Sequence, residues 1–327
     1  MMMNTVYYKL WIVTAIIIID LMLGQVSAKS SKADKEAKKR DELAAKIQII
    51  IYKGNSIDTA DVVKVPITRP DILFNYLDLD KPLAIYVHGF HEGPSAENTQ
   101  TVVDAYLYRG TDNIWSFDWS KLSYYGYGTV VKNAKIIAQI FAITLTQLID
   151  LGLNPKGYHI VGHSLGAQIA GSIYKSFGYD IPRITALDAA GPGFSGSKDN
   201  RMTNESALCV HALHTDGGRY GVEGDAGTAD FFPNGGKRIQ PGCPRGGGLL
   251  TPKDLCHHWR SWRFWAESII NEGAFRATLC DNYDDYLNGE CDGNPVINMG
   301  YGAPTNARGR FYLTTRDASP FGENYSD

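Results

Sequence analysis

Residues 158–171, YHIVGHSLGAQIAG, constrain this chain more than any other stretch. The apolar run 158–161 leads into Gly162-His163-Ser164-Leu165-Gly166, and Ala167, Ile169, Ala170 and Ile173 follow. That order reads as a buried strand, a glycine-bounded turn and a helix of small residues. The turn is sharp enough that a side chain two residues either side of the serine would collide with a neighbouring strand or helix. Glycine removes the collision and tolerates unusual φ/ψ. The product is a serine hydroxyl exposed at the carboxyl edge of a sheet, beside the amino end of a helix. The bland alternative is a structural turn serine.

The 327 residues, 44% hydrophobic and 20% charged, suffice for one large core or two domains. A net charge of −3 gives no general argument for nucleic acid as a partner. Residues 1–28 read as a secretory signal, with Lys9, the apolar run 10–19 and the small-residue site Val26-Ser27-Ala28. Asp20 interrupts the run, whereas a membrane span needs roughly 20 apolar residues. The expectation is therefore a secreted, extracellular protein with no transmembrane span once the signal is removed; the competing reading is an N-terminal anchor. Five cysteines fit two local disulfides, Cys243–Cys256 and Cys280–Cys291, and leave Cys209 as a small buried hydrophobe. Asn204-Glu205-Ser206 and Asn324-Tyr325-Ser326 are glycosylation sequons.

Residues 29–46, with seven basic and four acidic side chains, read as a solvated, flexible leader. Residues 47–52 read as a strand near a sheet edge, 58–70 as loop or short strand, and 71–76 as a turn or short helix. Apolar runs then recur at 83–87, 113–117, 158–161, 184–187 and 210–214. Between several of them lie helical patterns, clearest over 130–151, where Val130, Ala134, Ile137, Phe141, Leu145 and Leu148 share a face. Apolar strands alternating with helices predict an α/β fold with a mainly parallel central sheet covered on both faces. Its active edge should lie at the carboxyl ends of the strands. The tail 291–327, rich in Gly, Asn and Pro, offers one late strand at 309–314, so residues 47–327 are expected to be a single domain.

A serine hydroxyl is a poor nucleophile at neutral pH and needs a base, an acid that orients the base, and an oxyanion hole. In a strand–elbow–helix context the acid follows the serine in the chain and the histidine comes last. Asp188 stands just after the run 184–187, 24 residues beyond Ser164. His211 and His214 lie in or at the end of a strand-like run, where a packed or hydrogen-bonded imidazole is the default. His257 and His258 read as a loop fixed by Cys256, before an aromatic helix over 259–270. The residues alone do not choose between these two. The oxyanion donors should be the Leu165 amide and, after the strand 83–87, the Phe90 amide. His88 and His91 could be read as metal ligands, but no matching cluster accompanies them, and no metal is expected.

In order along residues 47 to 315, the chain carries YVHGF (86–90), Asp118-Trp119, GHSLGAQIAG (162–171), ITALDAAGPGF (184–194), HTDG (214–217), DFFPNGG (230–236), QPGC (240–243) and CHHWRS (256–261). With these it resembles the animal lipases of the pancreatic type, and especially their insect members. The resemblance implies an α/β-hydrolase fold and a triad of Ser164, Asp188 and His258. It selects His258 because the family pattern is Cys, any residue, His, any residue, Arg. It also supports Phe90 and Leu165 as oxyanion donors, and it implies a lipid substrate, acylglycerol or phospholipid, with no cofactor.

In the family, the segment between the two lid cysteines lies over the active site. Here it spans only 12 residues, 244–255, and the loop 218–229 is also short and glycine-rich. Both being short is similar to the phospholipase A1-type members, which tilts the expectation towards sn-1 hydrolysis of polar lipids. The sequence also departs from the family. Gln168 replaces a usual histidine, and Ala189 a usual proline. In the calcium segment expected at 197–206, Thr203 and Ser206 stand where carboxylates belong. The C-terminal β-sandwich that serves colipase or surface binding in the larger vertebrate members is not expected here, and neither is colipase. The competing function is a lipid-binding, yolk-like protein on the same fold; with all three triad positions filled, hydrolysis is the better expectation.

Overall fold

A computed structural model describes residues 32–194 and 201–324. The signal segment, the start of the leader, part of the calcium segment and the end of the second sequon lie outside those residues. Residues 32–44 form a helix, α1, where a flexible leader was expected. The physical reason is legible in hindsight: Ala, Lys and Glu are strong helix formers with no Gly or Pro among them.

From residue 48 the chain builds one 11-stranded sheet, numbered in chain order: β1 (Gln48–Lys53), β2 (Asp61–Pro66), β3 (Leu83–Val87), β4 (Asn113–Asp118), β5 (Tyr158–His163), β6 (Ile184–Leu187), β7 (Val210–Leu213), β8 (Ala229–Pro233), β9 (Arg276–Leu279), β10 (Val296–Asn298) and β11 (Gly309–Leu313). Their spatial order is β10-β9-β11-β8-β7-β6-β5-β3-β4-β1-β2. The seven central strands, β11 to β4 in that order, pair parallel, while both edges turn antiparallel. Strands β3 and β6 are buried at every position, as strands covered on both faces must be. Three strands escaped the sequence reading: β8, whose apolar core is only Phe231-Phe232 between Asp230 and Pro233, and the late pair β9 and β10. β9 and β10 are only 4 and 3 residues long and partly exposed, so they lack the apolar run that marks a central strand.

Helices α3 (Glu97–Arg109) and α7 (Pro252–Ile270) pack together over one face. There Tyr106, Trp262 and Trp265 meet Ala84, Tyr86, Val161, Leu187 and Leu213. Helices α5 (Tyr127–Asp150) and α6 (Leu165–Ser172) pack together, with α6 against β3, β5 and β6. α5 is long and apolar enough to cross a membrane, but its apolar face is buried through Val130, Ile137, Phe141 and Leu145. Among the described residues there are also three short helices: α2 (Pro70–Phe74), α4 (Ser120–Ser123) and α8 (Tyr283–Leu287).

Strand order reverses between β3 and β5. From β3 the chain moves to β4 on one side; from β5 it moves through β6, β7 and β8 on the other. Such a switch point opens a crevice at the carboxyl ends of the two strands. The segment after β3 is His88-Gly89-Phe90, and the residue after β5 is Ser164.

Candidate active site

Ser164 sits on the elbow at φ 55° and ψ −119°, a left-handed backbone that a serine rarely adopts. The neighbours hold it there: Ser164 N donates to Leu187 O at 3.0 Å, and Ala190 N donates to Ser164 O at 3.0 Å. Both elbow glycines are sterically required. A methyl on Gly162 would stand 2.5 Å from Ala167 Cα, and one on Gly166 would run into the Val87 and His88 carbonyl oxygens. The amino end of α6 therefore lies directly on the end of β3. Of the five non-glycine residues with positive φ among those described, Ser164, Asp188, His91 and Leu250 belong to this site, and only Asn234 stands apart. Strain of this kind persists only where surrounding structure over-determines it.

Asp188, fully buried, follows β6 as expected. Its Oδ1 accepts the Thr215 and Asp216 amides at 2.9 and 3.1 Å, so the HTDG segment after β7 serves as its cradle. Its Oδ2 lies 2.6 Å from His258 Nδ1. The neighbouring imidazole, His257, instead accepts the Gln240 amide on Nδ1 at 3.1 Å. Both histidines lie within α7 rather than on the loop expected for them. Thr251 caps that helix by accepting the Asp254 amide, and Pro252 opens it, so the helix starts a full turn before the histidines. Adjacent positions on a helix point about 100° apart, which sends His258 to Asp188 and His257 away.

Burial pulls the His258 imidazole down, but the hydrogen bond and charge of Asp188, backed by Asp216 and Glu92, override it and raise it above its ordinary value. Asp216 is itself held by a bidentate pair with Arg238 at 2.6 and 2.8 Å, and Arg238 also reaches Asp254 at 2.7 Å. Asp254 Oδ2 accepts Tyr220 Oη, whose oxygen accepts the Leu250 amide at 2.9 Å. This chain of contacts ties the lid segment to the buried aspartates. Sequence reading did not single out Asp216, Arg238, Asp254 or Tyr220. Arg238 and Asp254 lie beside quoted motifs, but nothing in their spacing announces the pairing.

Ser164 and His258 line one cavity of about 420 Å³, together with Phe90, Tyr127, Tyr220, Leu250 and Trp259. Apart from Ser164, His258 and a few other polar side chains its wall is chiefly apolar, the usual make-up of a pocket for a largely apolar ligand. Leu249 and Leu250, 69% and 49% exposed, form its outer lip. The lid is closed by the Cys243–Cys256 disulfide, and Cys280–Cys291 pairs near β9. Cys209 is buried and unpaired.

The proposed oxyanion segment is braced from below. His88 is buried, stacks on Trp119 at 5.2 Å, and its carbonyl accepts Trp119 Nε1 at 2.9 Å. His91 stacks between Phe90 and Tyr124. Among the described residues no three His, Cys, Asp or Glu side chains group as a metal site. Thr203 and Ser206 use their hydroxyls internally: Ser206 Oγ donates to Gly171 O at 2.8 Å and accepts the Thr203 amide at 3.0 Å, and Thr203 Oγ1 accepts the Glu205 amide at 3.3 Å. Neither position offers a calcium ion an anionic ligand. Gln168, where a histidine is usual, donates to Ala190 O at 2.7 Å and accepts the Met202 amide at 2.8 Å, joining the acid loop to that segment. His214 and His211 are packed imidazoles, as their strand positions suggested: His214 Nε2 lies 2.8 Å from Asp230 Oδ1, and His211 lies between Cys209 and Arg183.

The family model described as Lipase matches residues 21–321. Pancreatic triacylglycerol lipase of Oryctolagus cuniculus is 30% identical over 269 residues, 74% of this chain and 58% of that protein. Phospholipase A1 member A of Bos taurus is 32% identical over 209 residues, 63% and 46% respectively, and lipase member H of Danio rerio is 34% identical over 210 residues, 63% and 46%. The chain thus spans about half the length of the curated relatives it matches.

Proposed function

The chain belongs to the lipase family, and from that premise we propose that it is a secreted hydrolase of carboxylic esters in lipids, acting through Ser164, His258 and Asp188. One observation carries the reading: an imidazole anchored by a buried carboxylate on Nδ1 lines the same cavity as a serine held on a strained strand-to-helix turn. His258 takes the proton of Ser164 Oγ as the oxygen attacks the acyl carbonyl. Asp188 holds the tautomer and stabilises the imidazolium. The Phe90 and Leu165 amides hold the tetrahedral oxyanion, each donor contributing on the order of 3 kcal/mol. His258 returns its proton to the leaving alcohol. Water, deprotonated by His258, then attacks the acyl-enzyme and releases the fatty acid, restoring Ser164. No step calls for a cofactor, and no colipase is invoked.

The substrate we favour is a phospholipid cleaved at sn-1, ahead of a triacylglycerol. The support is the lid: 12 residues between its cysteines, presenting two exposed leucines at the lip. Such a lip covers little oil surface but suffices for one acyl chain beneath a polar head group. The two disulfides fit an extracellular setting. A fluorophosphonate probe should label the purified protein, and Ser164→Ala should abolish labelling. Phosphatidylcholine vesicles should then be hydrolysed faster than a triacylglycerol emulsion, with and without a calcium chelator. An unlabelled protein that still bound vesicles would favour the lipid-carrier reading instead.

A further inference from the structure

One carboxylate beside the nucleophile has no part in the chemistry above. Glu92 stands two residues after Phe90, with a mostly buried side chain that also borders the cavity. A single oxygen, Oε2, accepts the Gly89 amide at 2.5 Å and Asn98 Nδ2 at 2.7 Å, and lies 3.1 Å from His163 Nδ1. Gly89 follows β3, Asn98 lies on α3 and His163 ends β5, so this oxygen ties together three elements at the switch point. The backbone of Glu92 is held too, because its carbonyl accepts Ser123 Oγ at 2.9 Å. Packing leaves no slack: a methyl on Gly89 would stand 2.8 Å from Glu92 Oε2 and 3.0 Å from Ser164 Cβ. The Gly89 backbone is wedged between carboxylate and nucleophile, one residue before the Phe90 amide.

We propose that Glu92 is a positioning residue for ester cleavage: its carboxylate clamps the Gly89 amide so that the Phe90 amide is already aimed at the forming oxyanion, and through His163 it sets a negative charge behind the ring of His258. The inference rests on the hydrolase reading of Ser164. A donor fixed before reaction needs no reorganisation as charge develops, and that is the source of oxyanion stabilisation. The second half rests on the contact between imidazoles: the His163 and His258 ring centroids are 4.7 Å apart, and His163 Nε2 is buried without a hydrogen-bond partner. Burial pushes the Glu92 carboxyl up, but the charge and hydrogen bond of His163, with the Gly89 amide, hold it below its ordinary value, so it is ionised at neutral pH. The charged and titratable groups facing this cluster are His88 and Tyr86 around Glu92, and Asp188, Asp216 and Tyr220 around His258.

The test uses a soluble short-chain ester and a trifluoromethyl ketone. The ketone adds Ser164 Oγ to its carbonyl carbon and so needs the oxyanion donors. Glu92→Ala should lower kcat by about 10- to 100-fold, somewhat less than outright loss of a donor, with KM within about twofold. Affinity for the ketone should fall by the same factor as kcat. Glu92→Gln keeps an acceptor of the same shape, so it should recover most of kcat, while the acid limb of its kcat/KM profile moves to lower pH as the base loses a negative neighbour. Wild-type kcat in Glu92→Ala, or a loss confined to KM, would overturn the clamp. So would lowered kcat with unchanged ketone affinity. Should Glu92→Ala not fold, Glu92→Gln decides alone: an unshifted acid limb overturns the proposal. Failure of the wild-type protein to react with a fluorophosphonate removes the hydrolase reading, and this inference with it.

Discussion

Two buried aspartate–histidine pairs lie at the carboxyl side of this sheet, and one of them lines the cavity that bears Ser164. Asp188–His258 and Asp230–His214 have similar separations, 2.6 and 2.8 Å, and all four residues are buried. In the first pair Asp188 meets Nδ1, which leaves Nε2 free to serve the cavity wall that also bears Ser164. In the second, Asp230 meets Nε2, Nδ1 is buried with no partner, and the ring stacks on Phe232 at 4.6 Å. The second carboxylate is also occupied, accepting the Ala226 and Gly227 amides. Pairing distance therefore says little about chemistry. Which ring nitrogen is engaged, and what the other one faces, separates a base from a structural contact.

The largest effect that could break this contrast is loss of each imidazole. His258→Ala should lower kcat by roughly 10⁴- to 10⁶-fold, whereas His214→Ala should leave kcat of the folded protein unchanged. Steady-state kinetics on a soluble ester distinguishes them, and equal losses would erase the distinction. Asp188→Asn should come next, costing about 10⁴-fold because the amide favours the wrong tautomer. Here circular dichroism should stay native, since the Thr215 and Asp216 amides can still find an oxygen. In the second pair the penalty should appear as stability. His214→Ala removes a hydrogen-bond donor from buried Asp230 and should lower unfolding free energy by about 1–3 kcal/mol, read from urea denaturation.

Much of the fold and part of this contrast was legible in the sequence. β3 and β6 coincide with their apolar runs because strands buried on both faces are predominantly apolar. Ser164 and Asp188 were legible because each occupies a strand end with its own local signature. The choice between His257 and His258 was legible only through the family pattern; on the residues alone it depends on helix phase, and the helix was placed too late. Thr251, Pro252 and Asp254 carried an ordinary helix-start signal that would have corrected it. Glu92, Asp216 and Arg238 were illegible for a different reason. Their partners are 71, 28 and 22 residues away in the cases of His163, Asp188 and Asp216, and no short pattern encodes such pairs.

A smaller effect sharpens the electrostatic side. In the proposed mechanism neutral His258 is the base; its pKa is raised above the ordinary imidazole value, so the acid limb of kcat/KM should have its midpoint above that value and activity should fall as pH drops through it. Asp216→Asn removes one of the charges that raises it. The limb should then move to lower pH while the plateau changes little. A limb unmoved by this substitution would mean that Asp188 alone sets the base.

The smallest effect concerns the lip rather than the chemistry. Leu249 and Leu250 are exposed beside the cavity, while the rest of the lid is fastened through Tyr220, Asp254 and Arg238. A fastened lid with an apolar lip should act at the lipid surface and not in turnover. Leu249→Ser with Leu250→Ser removes apolar area, and fully burying one leucine contributes about 1.5–3 kcal/mol; partial insertion should therefore weaken vesicle binding by roughly fivefold to tenfold. Hydrolysis of a soluble short-chain ester should stay within about twofold, because the substituted side chains lie outside the Asp188–His258 contact and the substituted hydroxyls leave the Leu250 amide bonded to Tyr220. Vesicle sedimentation run beside soluble-ester kinetics separates the two. Equal losses in both would show that the lip shapes the reacting centre, and the division between a rigid catalytic edge and a surface-reading rim would have to be abandoned.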